Sequence, residues 1–530
     1  MEANQPVVGT EAMVVSPHYL ASAAGARMLE RGGNAFDAAV AVSACLAVVY
    51  PHMTGLGGDS FWLTYQPQEG KVRGYNGSGR AGAGATREAF AGCEAIPSRG
   101  VRSAITVPGM ADAWAAVHGA YGRLAFAETL EPAIGYAERG FPLSPDQHLN
   151  AREHAAMLAA TPETAAIYLP GGRVPAAGAR FKQPQLARTL RALAAGGRDA
   201  FYRGGIAAEI AGFLQRRGGL LAREDFAEHR GDWVEPLRTG YRGCDVYQLP
   251  PNSQGFVALM ALNVLERFEF GPGAVEHGSF EYYHLLIEAL KRCFRDRDEV
   301  LTDPAFAFIP LDRLLSRSYA AELAADIRPD RAAEADARPM GSDTAFAAVV
   351  DKEGNAVSFI QSLYFEFGSG VVAGETGVLL QNRGSFFSLD PGHVNCLAPR
   401  KRTFHTLMPA MALQGGRLRL LYGTQGGEGQ PQTQTALVTR MIDYGMDPQR
   451  AVSEPRWVWG RTWGEPTREL KLESRIDPAV ESALAAAGHG VRVVAPFDGR
   501  TGHAHAIKID DAGFLQGGAD PRCDGAAIGW

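Results

Sequence analysis

The sequence predicts a large globular chain of mixed α-helix and β-strand, on three observations. The first is composition. Of 530 residues, 46% are hydrophobic and 21% charged, the balance of a chain with a packed core and not of a disordered one. The second is a block of segments between residues 111 and 295 whose apolar positions recur every three and four residues, as they do on one face of a helix. The third is a strand–turn–strand pattern that begins at Thr344. At about 100–200 residues per domain the length alone suggests three domains, which is only a prior.

The elements follow in order. Ala12–Ser16 is a short apolar strand, and Leu20–Arg31 has helical periodicity that stops at Gly32-Gly33. A second helix, Asn34–Val49, starts with Asn34 and Asp37 and continues as an Ala/Val-rich body suited to close packing. Gly55-Leu56-Gly57-Gly58-Asp59 interrupts before a strand at Phe61–Tyr65. Helices are expected at Ala111–Tyr121, Phe126–Arg139, Pro184–Ala195 and Tyr282–Arg295, with Pro/Gly-marked loops between them, including Leu249–Ser253. Arg328–Pro339, rich in Ala, Asp, Arg and Pro, reads as an exposed linker. Thr344–Asp351 then reads as a buried strand, Lys352-Glu353-Gly354-Asn355 as a tight turn, and Ala356–Tyr364 as the returning strand. No repeat of solenoid period is present.

Several function classes fall away. With 52 basic and 58 acidic residues the net charge is −6, so no global basic field exists to attract nucleic acid. The densest basic run, Ala398-Pro399-Arg400-Lys401-Arg402, reads as a solvated loop. No stretch approaches the ~18 continuous apolar residues of a membrane span. The first residues carry neither a basic start nor an apolar leader segment, so a cytoplasmic location is expected. Cys45, Cys93, Cys244, Cys293, Cys396 and Cys523 form no Cys-x-x-Cys pair and read as reduced, separately packed thiols. Glycine is in excess, 63 of 530 residues, about 12% against a usual ~7%. That excess implies tight turns and close backbone approaches.

The common catalytic motifs are missing. No Gly-x-Ser-x-Gly elbow occurs, and Pro251-Asn252-Ser253-Gln254-Gly255 is the nearest approach. There is no His-Glu-x-x-His helix. His503-Ala504-His505 would place two rings on one strand face, but no third metal ligand is visible nearby. Gly55–Ser60 imitates a dinucleotide loop, yet it ends a helix where that fingerprint begins one.

What remains is a threonine at the head of a hairpin. Its neutral hydroxyl is a poor nucleophile and needs a base within reach. Cleavage between Asp343 and Thr344 would free the Thr344 α-amine, whose ordinary pKa of about 7.7–8.0 suits proton abstraction near neutrality. Spacing alone also leaves open an ordinary strand threonine.

Asp343-Thr344 followed by Val350-Asp351-Lys352-Glu353-Gly354-Asn355-Ala356-Val357 resembles the processing site of the γ-glutamyltranspeptidase family, N-terminal-nucleophile hydrolases that cleave themselves into two subunits. The resemblance extends along nearly the whole chain. It includes Gly32–Ala39, Val107-Pro108-Gly109, Pro250–Gly255, Phe367-Gly368-Ser369-Gly370 and Asp520–Gly525. It implies an α+β fold, a four-layer αββα sandwich of two stacked, mostly antiparallel sheets flanked by helices. Residues 1–343 and 344–530 would be the two subunits of one interleaved domain. Thr344 would be the nucleophile, Ser362 a hydroxyl that steadies it, and Gly426-Gly427 the oxyanion-binding pair, whose bare backbone N–H groups a developing oxyanion can approach. Without the resemblance, that pair reads as an ordinary turn.

Departures from the family pattern narrow the substrate. Positions that receive the α-amine of a glutamyl group in the transpeptidases carry Tyr364, Arg383 and Phe386 here, and the family's serine pair is His405-Thr406. The family's carboxylate-binding arginine falls at Ser78, with Arg80 two residues on. Arg80, Tyr364, Arg383, His405 and Thr406 therefore suggest a pocket for a small anionic acyl group without an amine, although each arginine alone reads as readily as a surface or ion-pair residue. Arg383-Gly384, Phe404-His405-Thr406 and Gly423–Gln432 resemble the family's amidohydrolases, namely oxamate amidohydrolases of purine breakdown and glutaryl-cephalosporin acylases. The expected reaction is oxamate to oxalate and ammonia, with γ-glutamyl transfer, glutathione hydrolysis or glutaryl-cephalosporin cleavage as alternatives. The resemblance implies no cofactor and no metal. The expected partners are the small anionic amide substrate and the chain's own second subunit, in a heterodimer open to further dimerisation.

Overall fold

Two seven-stranded sheets lie face to face in the computed structural model, which describes residues 5–334, 343–460 and 467–530, with only the backbone of Asp343. The side chain of Asp343 at the expected cleavage point, and residues 335–339 of the expected linker, lie outside the described residues. One sheet runs in the order Ala526–Gly529, Met13–Ser16, Asp343–Val350, Ala356–Tyr364, Asp59–Gln66, Lys71–Gly77 and Asp232–Val234. The other runs Val7–Gly9, Leu515–Ala519, Ala504–Ile509, Arg417–Thr424, Ala410–Gln414, Cys244–Gln248 and Leu237–Tyr241. Every pairing within these two sheets is antiparallel. Both sheets combine strands from before and after residue 343.

The layers follow from burial on both faces of each sheet. Along Asp343–Val350, Ala345, Ala347 and Val349 face a helical layer together with Trp62 and Phe359. Phe346, Ala348 and Val350 face the other sheet with Met411, Leu421 and Ile507. A strand buried on both sides shows a nearly continuous apolar run, which is why this one reads so clearly in the sequence. The outer helical layers include Ala35–Val49 on the first sheet and Gly255–Leu265 with Gly429–Ile442 on the second. Ala35–Val49 is buried along its whole length and starts with a capping box between Asn34 and Asp37, as its sequence predicts. The architecture is the expected αββα sandwich.

The helical stretch Pro184–Tyr202 breaks at Gly197 (φ 59°), close to the expected end at Ala195, and a second helical segment carries on to Tyr202. One expectation needs correction. The basic run at 398–402 is not a solvated loop. Lys401 and Arg402 are buried, Lys401 Nζ donating to the carbonyls of Val394 and Cys396 and Arg402 Nε to that of Ser78. Their long side chains turn inward to satisfy backbone acceptors that packing has cut off from water.

Candidate active site

The Thr344 hairpin pairs in regular register from Ala345 opposite Gln361 to Val350 opposite Ala356, but Asp343 pairs with Tyr364. The slip leaves Thr344 against two residues of the returning strand, Ser362 and Leu363, a β-bulge at the strand mouth. Bulges re-aim a side chain and end the pairing. Tyr364 takes up the distortion with φ of 89°, a region costly for a residue with a Cβ. Ser362 compensates, its Oγ accepting the Tyr364 N–H at 2.7 Å.

The strand Arg417–Thr424 delivers a second loop to the same end of the sandwich. Gly426 (φ 125°) and Gly427 (φ 51°) occupy backbone conformations that favour glycine, immediately before helix Gly429–Ile442. The Gly426 carbonyl accepts the Gly429 N–H at 2.6 Å and that of Gly427 the Gln430 N–H at 3.2 Å. Among the described residues, no protein acceptor engages the N–H groups of Gly426 and Gly427. Two bare donors beside a helix N-terminus form an anion-binding arrangement. Gln430, in the first turn of that helix, places Nε2 3.4 Å from Thr344 Oγ1 and so joins the loop to the threonine.

Arg383 is an unusual cation. It is 1% exposed, and its Nη1 meets Thr406 Oγ1 at 3.4 Å while Nε and Nη2 have no hydrogen-bond partner. Its Cζ sits 4.1 Å from the Tyr364 ring centroid. Burial pulls the guanidinium down to about 10, with Tyr364 and Asp59 opposing that shift. A buried arginine with unspent donors is costly unless an anion completes it. Phe386 closes the same region edge-on, 5.6 Å from Tyr364 and 4.9 Å from Phe404 between ring centroids. Beyond these rings a cavity of about 370 Å³ opens, lined by Ile96, Leu301, Tyr364, Phe386 and Phe404, with Asp298 among its few charged groups.

His405 does not present a charge. Burial, and next the Arg383 cation, push its imidazole down to about 3. Nε2 lies 3.2 Å from Asp59 Oδ2 and Nδ1 lies 3.4 Å from the Leu407 N–H. These partners assign the neutral ring with the proton on Nε2. Asp59 is a hub that sequence reasoning left without a role. Its Oδ1 accepts from the N–H groups of Gly79 and Gly109 and from Gln381 Nε2, at 3.0–3.1 Å. One carboxylate thus ties together four segments, including those that lead into Arg383 and Thr406.

Arg80 is not brought to this site. Its side chain is 36% exposed and donates to the Arg230 carbonyl and to Asp232. The buried position beside Ser78 is taken by Arg402, which also pairs with Asp232. Two guanidiniums cannot both be desolvated there against one carboxylate, so Arg80 stays outside.

Sequence reasoning also missed Gln254 and Arg297. Gln254 was visible inside the Pro250–Gly255 motif, but nothing in the motif says what the amide reaches. Gln254 Nε2 donates to the carbonyls of Thr406 (2.9 Å) and Gly427 (3.0 Å). Of metal-compatible groupings among the described residues, His284, Glu288 and His489 bring ligand atoms within 4.8 Å of one another. The Glu288 carboxylate there is already held by Lys291 and Arg292, each at 2.8 Å, and by the Ala333 N–H. These contacts serve to hold the chain around Ala333. Cys523 lies 3.9 Å from His505, but burial raises its thiol well above the ordinary range, the state of an inert thiol.

Comparison with known proteins agrees with this geometry. Residues 21–530 match the family model described as gamma-glutamyltranspeptidase. The chain is 61% identical to the glutathione hydrolase-like YwrD proenzyme of Bacillus subtilis (strain 168), over 99% of this chain and 100% of that protein. It is 43% identical to the oxamate amidohydrolase proenzyme of Klebsiella pneumoniae, over 99% of each. The crystal structure of a cephalosporin acylase from Bacillus halodurans superposes with a TM-score of 0.92 at 37% identity, covering 100% of this chain and 98% of that one. The chain belongs to the gamma-glutamyltranspeptidase family and is an N-terminal-nucleophile hydrolase of amide bonds.

Proposed function

We propose that this chain cleaves itself between Asp343 and Thr344 and then hydrolyses the amide of a small anionic acyl substrate, with oxamate, giving oxalate and ammonia, as the best fit. The observation that carries the reading is Arg383, a buried guanidinium with two unpartnered nitrogens beside the Thr406 hydroxyl. A substrate carboxylate supplies the missing anion there. An α-ammonium group, as on a glutamyl chain, meets a cation and the phenyl ring of Phe386 instead. The reading therefore parts from glutathione hydrolysis, the activity in the name of the 61% identical relative, and sides with the activity named for the 43% identical one.

The mechanism assigns each group one task. The freed α-amine of Thr344 takes the hydroxyl proton, and Oγ1 attacks the amide carbon. The N–H groups of Gly426 and Gly427 receive the oxyanion. The C–N bond breaks, the proton passes from the Thr344 ammonium to the departing nitrogen, and ammonia leaves. Water then attacks the acyl-enzyme with the same amine as base, releasing the acid and restoring the threonine. Ser362 holds the bulge that aims Thr344, and Tyr364 stacks on Arg383 to shape the short pocket.

A second reading, cleavage of a longer glutaryl amide, draws support from the apolar cavity of about 370 Å³ beyond Tyr364 and from the cephalosporin acylase likeness. One experiment separates the readings: release of ammonia or amine from oxamate, a glutaryl amide and a γ-glutamyl anilide under the same conditions. Preference for oxamate is the expected result. Preference for the γ-glutamyl anilide would overturn the anionic-pocket reading, and preference for the glutaryl amide would favour the acylase.

A further inference from the structure

At the C-terminal turn of helix Phe280–Val300, Arg297 is fully buried and has all three guanidinium nitrogens committed. Nε and Nη2 donate to Asp298 Oδ1 at 2.9 and 2.7 Å, Nη2 also to Glu428 Oε1 at 3.0 Å, and Nη1 to Gln254 Oε1 at 3.1 Å. The rings of Phe294 and Phe404 pack against its Cζ at 4.5 and 5.4 Å from their centroids. None of these contacts is with a group assigned to the reaction. Two of them lead to such groups by a single step.

The first runs through Gln254. A guanidinium can only donate, so the Gln254 carbonyl must face it and the NH₂ must face the other way. On that other side stand two backbone carbonyls, Thr406 and Gly427, which accept from the one nitrogen at 2.9 and 3.0 Å. Thr406 carries the hydroxyl beside Arg383, and Gly427 is half of the proposed oxyanion pair. One amide therefore spans the two places that must grip the two ends of a short acyl group, and Arg297 sets its direction. The second step runs through Glu428, the residue directly after the glycine pair, which Arg297 pins at the start of helix Gly429–Ile442.

We propose that Arg297 is a positioning residue, fixing through Gln254 and Glu428 the spacing between the anion receptor and the oxyanion loop. The proposal rests on the reading of Arg383–Thr406 and Gly426–Gly427 given above. Reacting atoms must be held to within about 1 Å, and a misplacement of that size costs roughly 100-fold in rate. Lysine carries the charge but lacks the fork that reaches Gln254 and Glu428 together.

The test uses the self-cleaved enzyme and whichever of oxamate, a glutaryl amide or a γ-glutamyl anilide the wild type hydrolyses fastest. Arg297→Met and Gln254→Glu are expected to lower kcat by roughly 10–100-fold, with KM within about threefold because the Arg383 contact is untouched. Arg297→Lys is expected to fall between them and the wild type. Gln254→Glu keeps the shape and the Arg297 contact while removing the bridging donor from both carbonyls, that of Gly427 keeping only the Gln430 N–H, so it carries the test if Arg297→Met does not fold. Gly427→Ala is the control for the underlying reading. If Gly427→Ala turns over like wild type, the oxyanion assignment fails and the proposal goes with it. If Gly427→Ala is impaired while folded Arg297→Met and Gln254→Glu keep the wild-type kcat and lose only thermal stability, the residues are merely structural and the proposal alone is overturned.

Discussion

Arg383 and Arg80 show how differently two arginines of similar promise in a sequence can end. Both fall at or near substrate positions of the family. Only Arg383 is buried with donors to spare, whereas Arg80 pairs with Asp232 at the surface. The sequence carried the residue types but not which guanidinium is desolvated, since that depends on Arg402 arriving from far along the chain. Replacing Arg383 with leucine is expected to reduce kcat/KM for an anionic amide by about 10–100-fold, the loss of a charge-assisted contact worth ~1.5–3 kcal/mol, while Arg80→Leu stays within about twofold of wild type. Steady-state kinetics on both variants check this. At Asp59, four donors converge on one carboxylate. Asp59→Asn turns one acceptor atom into a donor among donors, and thermal or denaturant unfolding is expected to show a loss of about 1–3 kcal/mol.

The Thr344 hairpin was almost fully legible, because a buried apolar strand, a Lys-Glu-Gly-Asn turn and a second strand are local signals. Its turn falls where predicted, with Gly354 at φ 80°. The bulge at Thr344 was not legible, since it depends on what the returning strand packs against. Gly57 and Gly58, which had no role by sequence, supply part of that reason. A Cβ on Gly57 would lie 2.2 Å from the Leu379 carbonyl oxygen, and one on Gly58 2.2 Å from that of Ser362. The bareness of Gly58 lets the loop before Asp59 lie against the backbone that carries Ser362, and that of Gly57 lets it lie against the backbone at Leu379. Gly58→Ala is expected to push that backbone away, lowering stability by about 1–3 kcal/mol and slowing self-cleavage at Asp343–Thr344. A denaturation curve and a time course on a denaturing gel would register both; unchanged values would deny that this contact sets the bulge.

At the scale of the molecule, strands from both sides of residue 343 interleave in both sheets. The two products of a cut there would share every core and would not separate as domains. Such sharing is what the family resemblance implies, and periodicity could not show it, because strand order is set by contacts distant in sequence. The same cores bury several imidazoles. Burial holds His18, His405, His489 and His505 at about 3 and His229 at about 4. Below the ordinary value of about 6.5 the unfolded chain binds these protons and the folded one does not. Stability is thus full above pH ~6.5 and falls as the pH drops toward the folded values. The thermal midpoint is expected to decline steadily from pH 6.5 to 4.5, and a flat profile would contradict it. Turnover has a separate dependence, rising as the Thr344 amine loses its proton near its ordinary pKa of about 7.7–8.0.

The proposed mechanism makes Thr344 the nucleophile for both maturation and turnover. The decisive variant is Thr344→Ala, followed on a denaturing gel and by ammonia release from oxamate. A single uncleaved band and no ammonia are expected from the variant, against two bands and steady release from the wild type. An uncleaved protein with full activity would contradict it.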